Sequence, residues 1–383
     1  MLPEVTYEEV ERAVMHPNPN KAPGPDEIPF AAWRQLLPFI KESIRWLYQA
    51  SLSLGHVPRL WREENIVVLR KPGKKGYGVP RAYRPISLLP AISKGLESIV
   101  AARLSYMAEG YNLLPNNHFG ARRHRSSEQA LNVLVECIYE AWRRDRGLSL
   151  VTFDVQGAFN GVHRSVLCSP LRQAGIPEPL VRWVHSFCED RAGKVIVGQY
   201  ESAMRPIAHA GIPQGSPLSP ILYIFYNAGL VSGDIDADGG SLGYVDDFTT
   251  LVTTSSAAEG TLVIQRDEVP KTEEWAKQSG ATFDLDKTVH SLCSAAQQDQ
   301  RGDKSQVSWG RGRVARASRQ KCGKTLLHSN GQPRVDHTDQ QEGPLSQGKK
   351  YGWCGTESNW FVSRGRTGLR HTLGTRPQRH SWQ

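Results

Sequence analysis

The chain has 383 residues, 39% of them hydrophobic and 8% aromatic, and a net charge of +9. This length suffices for two or three domains with at least one sizeable core. No apolar run reaches the roughly 18 residues that a membrane span needs. The six cysteines form no CxxC pair, which argues against a disulfide framework and against zinc. We expect an intracellular protein with reduced thiols that is not associated with a membrane.

The positive charge is concentrated at the end of the chain. Residues 1–288 hold 31 Lys and Arg against 32 Asp and Glu, whereas residues 289–383 hold 16 against 6 and contain no Ile. A segment so poor in large apolar residues buries too little surface to offset its ordering entropy, so we expect 289–383 to be a disordered basic tail. Two interpretations are open: an arm that binds nucleic acid, or, as we favour, a segment never selected to fold because the reading frame shifts near Val289.

The elements of the first 288 residues are well separated. Thr6 and Glu9 form a capping-box pattern that predicts a helix through about Met15. A Pro/Gly loop follows at 18–29, and Pro270 interrupts what would otherwise be one late helix. Apolar periodicity predicts further helices at 30–54, 92–107 and 128–146, the last ending at Gly147, with a short strand beginning at Asn65.

The segment LSLVTFDVQGAF (148–159) is typical of a buried strand that ends in a carboxylate. Leu148, Leu150, Thr152 and Asp154 share one face, because side chains alternate along a strand. A buried charge needs a partner, and a cation is the obvious one. Taken alone, however, such an Asp is more often a turn or cap residue.

A second acidic segment, GSLGYVDDFTTLV (240–252), contains Asp246, which lies 92 residues after Asp154. Two adjacent carboxylates between β-prone stretches predict a tight hairpin with Asp246 and Asp247 at its tip. Because neighbouring side chains on a strand point to opposite faces, we assign Asp246 the direct ligand role beside Asp154 and Asp247 a secondary one. An isolated pair of this kind is usually a solvated turn.

Two chain-distant strands that each deliver acid at one end can hold hard divalent cations, which prefer carboxylate oxygen. We expect two Mg²⁺ ions, with Mn²⁺ as an alternative. A carboxylate-held ion pair suits in-line phosphoryl transfer. One ion lowers the pKa of the attacking hydroxyl, while the other stabilises the leaving pyrophosphate.

The ordered combination of motifs resembles the reverse transcriptases of non-LTR retrotransposons, most closely the fungal type. The motifs are KAPGPDEIP (21–29), YRPISLL (83–89), NHFGARRHRSSEQAL (117–131), LVTFDVQGAFNGV (150–162), AGIPQGSPLSPIL (210–222), GYVDDF (243–248) and SGATFDLDKT (279–288). The resemblance covers about residues 15–288, and so many motifs in one order make an accidental match very improbable.

The resemblance implies an α+β fold, the polymerase right hand. Residues 1–147 would form a fingers-like helical region and residues 148–288 a palm with an antiparallel sheet that carries Asp154, Asp246 and Asp247; a thumb is not recognisable. The reaction would be the addition of dNTPs to a primer 3′ hydroxyl. The implied partners are an RNA template, a DNA primer and dNTPs.

The resemblance also assigns roles around the nucleotide. Phe159 would lie under the incoming sugar, where a ring collides with a 2′-hydroxyl; an ordinary core Phe is the alternative. Gln214 and Gly215 would lie against the nascent base pair, Gly allowing close backbone approach. Lys287 would donate a proton to pyrophosphate, although a surface cation is equally compatible with the sequence.

The remaining predicted contacts are basic. Lys71 and Arg84 would bind the triphosphate. Arg122, Arg123 and Arg125 would contact template phosphates, which give affinity without sequence readout. For all five residues a solvated basic face is the alternative.

Departures from the family pattern leave a second function open. We see no endonuclease or RNase H motif, so we expect a truncated element and, where activity requires it, a separate endonuclease. The alternative to a polymerase is an inactive remnant that at most binds nucleic acid. Analogy with mobile elements favours a nuclear location.

Overall fold

The structure, a computed structural model, describes residues 2–74, 76–208, 211–285 and 287–293, and the backbone of 306–309 and 313–316. The chain divides into two units, and every described residue belongs to the first, Met1–Leu327. The second unit, His328–Gln383, lies outside the described residues, and so does most of the predicted tail.

The first helix begins where the sequence predicts. The Thr6 hydroxyl accepts the Glu9 backbone N–H at 3.2 Å, and the Glu9 carboxylate accepts the Thr6 N–H at 3.0 Å, which completes the capping box. The helices of the described residues are α1 (Tyr7–Met15), α2 (Phe30–Leu54), α3 (Ala91–Gly110), α4 (Ser127–Arg143), α5 (Arg164–Gln173), α6 (Glu178–Cys188), α7 (Ser219–Tyr226), α8 (Ala257–Val263) and α9 (Val269–Ser279). None of them is long and apolar enough to cross a bilayer.

The predicted helices are present, with two differences. Helix α4 ends at Arg143 rather than Arg146, because Gly147 already belongs to the following strand. Helices α8 and α9 are separated by a π-helical turn, Ile264–Glu268, and Pro270 lies in the first turn of α9. A proline there costs little, since the first turn of a helix has no use for its missing N–H.

The strands form two main sheets. They are β1 (Glu63–Arg70), β2 (Tyr83–Leu88), β3 (Gly147–Phe153), β4 (Ala192–Val197), β5 (Tyr200–Glu201), β6 (Arg205–Pro206), β7 (Gly239–Tyr244), β8 (Asp247–Thr254), β9 (Val289–Cys293), β10 (Gln306–Trp309) and β11 (Arg313–Arg316). One sheet, which we call the palm sheet, has the order β7-β8-β3-β9 and is antiparallel throughout, as expected. The other, which we call the fingers sheet, has the order β2-β1-β4-β5 with β6 beside β4.

Strand pairing crosses both predicted domain boundaries. Strands β4 to β6 fall inside the predicted palm span, but they complete the fingers sheet, because β4 pairs in parallel with β1. At the other end, β9 pairs with β3 from Val289 opposite Thr152 to Cys293 opposite Leu148. The palm sheet therefore continues five residues past position 288, while the change of reading frame near Val289 stays a prediction. The β9 sequence, VHSLC, holds only one β-branched residue, so no local pattern predicts this strand.

Apolar side chains cover both faces of the palm sheet. Val151, Phe153 and Phe248 belong to the larger core, which includes nearly all of α7 and extends to α1, α2 and α3. Leu148 and Leu251 face a smaller core beneath α4. With both faces covered, polar chemistry is confined to the end of the sheet where β3 stops and β8 starts.

Candidate active site

The predicted acidic hairpin is present at that end of the palm sheet. Strands β7 and β8 are joined by Val245 and Asp246 alone, since Tyr244 pairs with Asp247. We call β7, this two-residue loop and β8 the acidic hairpin. Val245 has φ of 57°, a conformation that hairpin loops usually give to Gly.

The register of the palm sheet brings the third carboxylate to the same place. Strand β3 ends at Phe153, which pairs with Phe248 on β8. In an antiparallel ladder the next positions outward are therefore Asp154 and Asp247. Acids that are 92 residues apart in the chain lie at one end of one sheet.

Burial and mutual repulsion disfavour the charged forms of two of these acids. Burial raises the pKa of Asp247, and the charges of Asp246 and Asp154 raise it further, to about 7. Burial, together with the charge of Asp154, also raises the pKa of Asp246. Repelling, poorly hydrated carboxylates are the electrostatic condition that a cation relieves.

Tyr223, on α7, is a member of this site that the sequence did not reveal. Its hydroxyl is buried and has no hydrogen-bond partner among the described residues. Burial, and then the charges of Asp246, Asp154 and Asp247, raise its pKa well above the ordinary value. An orphaned buried hydroxyl beside acids points to a missing polar group, such as a hydrated ion or a substrate. In the sequence Tyr223 is one aromatic residue within an apolar helix, so no local pattern distinguishes it.

Lys287 lies against the predicted catalytic acid. Its Nζ donates to Asp154 Oδ2 at 2.6 Å and is 3.6 Å from Asp284 Oδ2. The chain returns to Asp154 because Asp284 N–H donates to the Asp154 carbonyl at 2.8 Å. Burial acts to lower the pKa of Lys287, but the hydrogen bond and charge of Asp154 outweigh it, so the pKa is raised.

The acids of this site are chemically suited to Mg²⁺, but the described residues do not by themselves form a complete set of ligands. Within the described residues, no three His, Cys, Asp or Glu side chains are grouped so as to hold a metal ion. Mg²⁺, however, is usually bound by one or two carboxylates together with waters and substrate phosphates. The raised pKa values of Asp246 and Asp247 and the orphaned Tyr223 hydroxyl fit such a site, and Lys287 forms an ion pair with Asp154.

Three predicted nucleotide contacts line one cleft of about 580 Å³ between α7 and β2. They are Phe159, Gln214 and Gly215. Phe159 is half-buried, and its ring lies 5.4 Å from that of Tyr223, so it connects the cleft to the acids. Phe159 also packs against the larger core, so its role under the sugar stays a prediction beside the alternative of an ordinary core Phe.

Gly215 is required by a close approach. Its φ is 138°, and a Cβ there would lie 2.4 Å from the Ser87 carbonyl oxygen on β2. Next to it, the Ser87 N–H donates to the Gln214 carbonyl at 2.8 Å. The Gln214–Gly215 loop therefore docks directly on the fingers sheet.

A buried carboxyl group supports that loop from below. Glu97 on α3 is fully buried and accepts from the hydroxyls of Ser93 and Ser216, both at 2.6 Å. Burial raises its pKa despite these two bonds. Its position on a largely buried helix gave no sequence signal for this contact.

Basic side chains of the fingers sheet face the acids. Lys71 follows β1, and Arg84 lies on β2 opposite Leu69. Burial lowers the pKa of Lys71, and the charges of Lys287 and Arg84 lower it further, which shows that these three cations share one region. Lys71 thus lies within electrostatic range of Asp154, and Arg84 lies within the same range of Lys71.

The three residues predicted to contact the template have different environments in the structure. Arg123 is exposed, and Arg125 donates to the Asn116 carbonyl and covers the Phe119 ring. The Arg122 side chain is only 1% exposed and pairs with Glu109 through bonds of 2.7 and 2.8 Å. Arg122 is therefore not placed to reach template phosphates, and we correct its assignment to an internal ion pair.

Comparison with known proteins identifies the family. A family model described as reverse transcriptase (RNA-dependent DNA polymerase) matches residues 69–326. The RNA-directed DNA polymerase from mobile element jockey of Drosophila melanogaster is 29% identical over 76% of this chain and 32% of its own length. The probable RNA-directed DNA polymerase from transposon BS of the same species is 32% identical over 59% of this chain and 25% of its own length.

A further sequence relative and a solved structure are also similar to parts of this chain. A Pol polyprotein from retrotransposable element R2 of Popillia japonica is 29% identical over 57% of this chain. Apo telomerase from Candida tropicalis, truncated from its C-terminal domain, superposes with a TM-score of 0.46 at 14% identity, covering 74% of this chain and 58% of that one. The chain spans about a third or less of the jockey and BS proteins, and the comparisons do not confirm the fungal type. The family model matches more than half of this chain, and the relatives are retrotransposon polymerases. The chain therefore belongs to the reverse transcriptase family of non-LTR elements.

Proposed function

We propose that this chain is the catalytic domain of an RNA-directed DNA polymerase, which adds dNTPs to a DNA primer on an RNA template. The observation that carries the proposal is the convergence of Asp154 with the acidic hairpin at the open end of the palm sheet. The adjoining cleft lined by Phe159, Gln214 and Gly215 supports it, because it offers a nucleotide a place beside those acids.

Asp154 and Asp246, with Asp247 in a secondary role, would hold two Mg²⁺ or Mn²⁺ ions. When bound, the ions lower the pKa of the primer hydroxyl and stabilise the charge that develops on the phosphates. Lys287 lies at Asp154 in its protonated form, which is the form that a proton donor to pyrophosphate needs.

The other side chains of the site bind and orient the substrates. Lys71 and Arg84 are close enough to Lys287 to form one cationic surface for a triphosphate. Phe159 would exclude a 2′-hydroxyl from the sugar position. Arg123 and Arg125 remain as template contacts, and a nuclear location and a separate endonuclease remain part of the proposal.

Primer extension tests this function. The full chain, given an RNA template, a DNA primer, dNTPs and Mg²⁺, should extend the primer. Asp246→Asn should reduce the rate by about a thousandfold or more, because a metal ligand supplies several kcal/mol of transition-state stabilisation. Asp238→Asn is the matched control, since this acid lies just before the same hairpin with a side chain 81% exposed.

Product that is insensitive to Asp246→Asn would show that the assigned site is not responsible. Absence of product from the unmodified chain would favour the inactive remnant. Retention of RNA only while the residues after β9, 294–383, are present would then identify a basic binding tail.

A further inference from the structure

The tip of the acidic hairpin has a strained backbone. Val245 is the one β-branched residue among the described non-glycine residues with positive φ. Such a conformation costs about 1–3 kcal/mol and persists only where the surroundings hold it. Val245 precedes Asp246 directly, so whatever holds Val245 also sets the position of the acid.

A series of buried hydrogen bonds ends at Val245. The Asn227 side-chain amide, at the end of α7, donates to the Val245 carbonyl at 2.8 Å. The Asn227 oxygen lies 3.1 Å from His118 Nε2. Asn227 and His118 are 1% and 0% exposed, so water does not compete for either bond.

The donor and the acceptor of each hydrogen bond in this series follow from the Val245 carbonyl, which can only accept. Because the Asn227 nitrogen must donate to a carbonyl, its oxygen is left to accept, and His118 must carry its proton on Nε2. Burial lowers the pKa of His118 to about 4, in agreement with a neutral ring. Asn is therefore needed at 227, since Asp would present an acceptor to the Val245 carbonyl.

The backbone around His118 follows the acidic hairpin. Phe119 N–H donates to the Gly243 carbonyl at 2.8 Å, and Gly243 N–H donates to the Asn117 carbonyl at 3.0 Å. A Cβ on Gly120 would lie 2.4 Å from the Val245 nitrogen. Residues 117–120 thus run beside β7 and close over the tip.

Arg122 fixes the segment that carries His118. Its guanidinium donates to the Pro115 and His118 carbonyls at 2.5 and 3.3 Å while pairing with Glu109. Arg122 thereby acts on the site through His118 rather than through a nucleic acid.

We propose that His118 and Asn227 are positioning residues that hold Val245 in its left-handed conformation and thereby orient Asp246 for catalysis. The proposal rests on the proposed function for its catalytic consequence, but the conformational part stands without it. Neither residue was assigned a role from the sequence.

Hydrogen exchange of the full chain tests the conformational part without requiring activity. Asn227→Ala and His118→Leu should each increase amide exchange in peptides spanning 243–248, whereas His118→Gln, whose amide can still donate to Asn227, should restore protection. Tyr226→Phe is the matched control, because it removes one buried hydrogen bond of 2.7 Å from the same helix without touching the hairpin. Unchanged exchange at 243–248 in Asn227→Ala, or equal loss in Tyr226→Phe, would overturn the proposal.

Kinetics test the catalytic part. In chain that is folded to the same extent, Asn227→Ala should lower kcat by up to about a hundredfold, the cost of a misplaced catalytic group, with little change in KM for dNTP. His118→Gln should recover most of kcat. A change confined to KM would contradict the positioning role. If the unmodified chain is inactive, the proposed function fails, and the exchange result still decides the conformational claim.

Discussion

At the scale of single residues, the site is defined by charges that the fold leaves incompletely balanced. Asp246 and Asp247 both have raised pKa values, and Asp154 is paired with Lys287. The sequence assigns these four residues to one catalytic site, and the structure brings them to one end of the palm sheet; their catalytic roles stay predictions. The sequence did not predict Tyr223, Glu97, His118 or Asn227, because their roles depend on contacts between distant segments.

The sugar discrimination assigned to Phe159 is testable at this scale. Phe159→Ala should raise the use of ribonucleotides relative to deoxynucleotides by about tenfold or more, because it removes a steric barrier beside the sugar. Phe159→Tyr keeps the ring and should keep the discrimination. Competition between dNTP and rNTP during primer extension measures both. Equal discrimination in wild type and Phe159→Ala would remove Phe159 from its assigned role.

The pKa of Asp247 predicts how stability depends on pH without metal. Its folded-state pKa, about 7, lies above the ordinary value of 3.8, so the folded protein holds this proton more tightly than the unfolded chain does. Asp247 therefore costs little near pH 4, and its destabilising effect grows as the pH rises to about 7 and is complete above that.

Asp247→Asn should remove this cost. In EDTA, the variant should match wild type near pH 4 and exceed it at pH 8 by a few kcal/mol, because a tenfold change in proton affinity is worth about 1.4 kcal/mol. Urea unfolding at the two pH values measures the difference. A constant difference between wild type and variant across this pH range would contradict the account.

At the scale of elements, the sequence predicted most helices and the acidic hairpin because their signals are local. The capping box of α1 and the two β-prone stretches around Asp246 are examples. The pairing of β4 with β1, and of β9 with β3, depends on contacts between distant segments, and no short pattern encodes it. The same limit explains why Arg122 was predicted to contact template phosphates, although its side chain is buried and paired with Glu109.

The contact of the Gln214–Gly215 loop with β2 predicts a stability effect. Gly215→Ala should destabilise the fold by about 3 kcal/mol, because the new Cβ meets the Ser87 carbonyl in addition to the strained φ. Gly198→Ala has positive φ as well but open space, and should cost only about 1 kcal/mol. Denaturant unfolding compares the two, and equal losses would show that the close approach carries no weight.

At the scale of the whole molecule, the site lies where the palm sheet and the fingers sheet meet. Each sheet combines strands from distant parts of the sequence. The palm sheet supplies the acids, while the fingers sheet supplies Lys71, Arg84 and the support for Gly215. The buried helix α7 joins them, because Tyr223 faces the acids and Asn227 holds their hairpin. Catalytic geometry thus depends on the packing of three elements rather than on any one motif.

We propose that Asp154 and the acidic hairpin share bound divalent ions, which metal-directed cleavage can detect. Fe²⁺ substituted for Mg²⁺, with ascorbate and peroxide, cuts a polypeptide close to where the ion binds. We expect cuts near both Asp154 and Asp246 in the full chain, both suppressed by excess Mg²⁺ and by either Asp154→Asn or Asp246→Asn. Cuts near only one of the two acids, or cuts that persist in either variant, would contradict it.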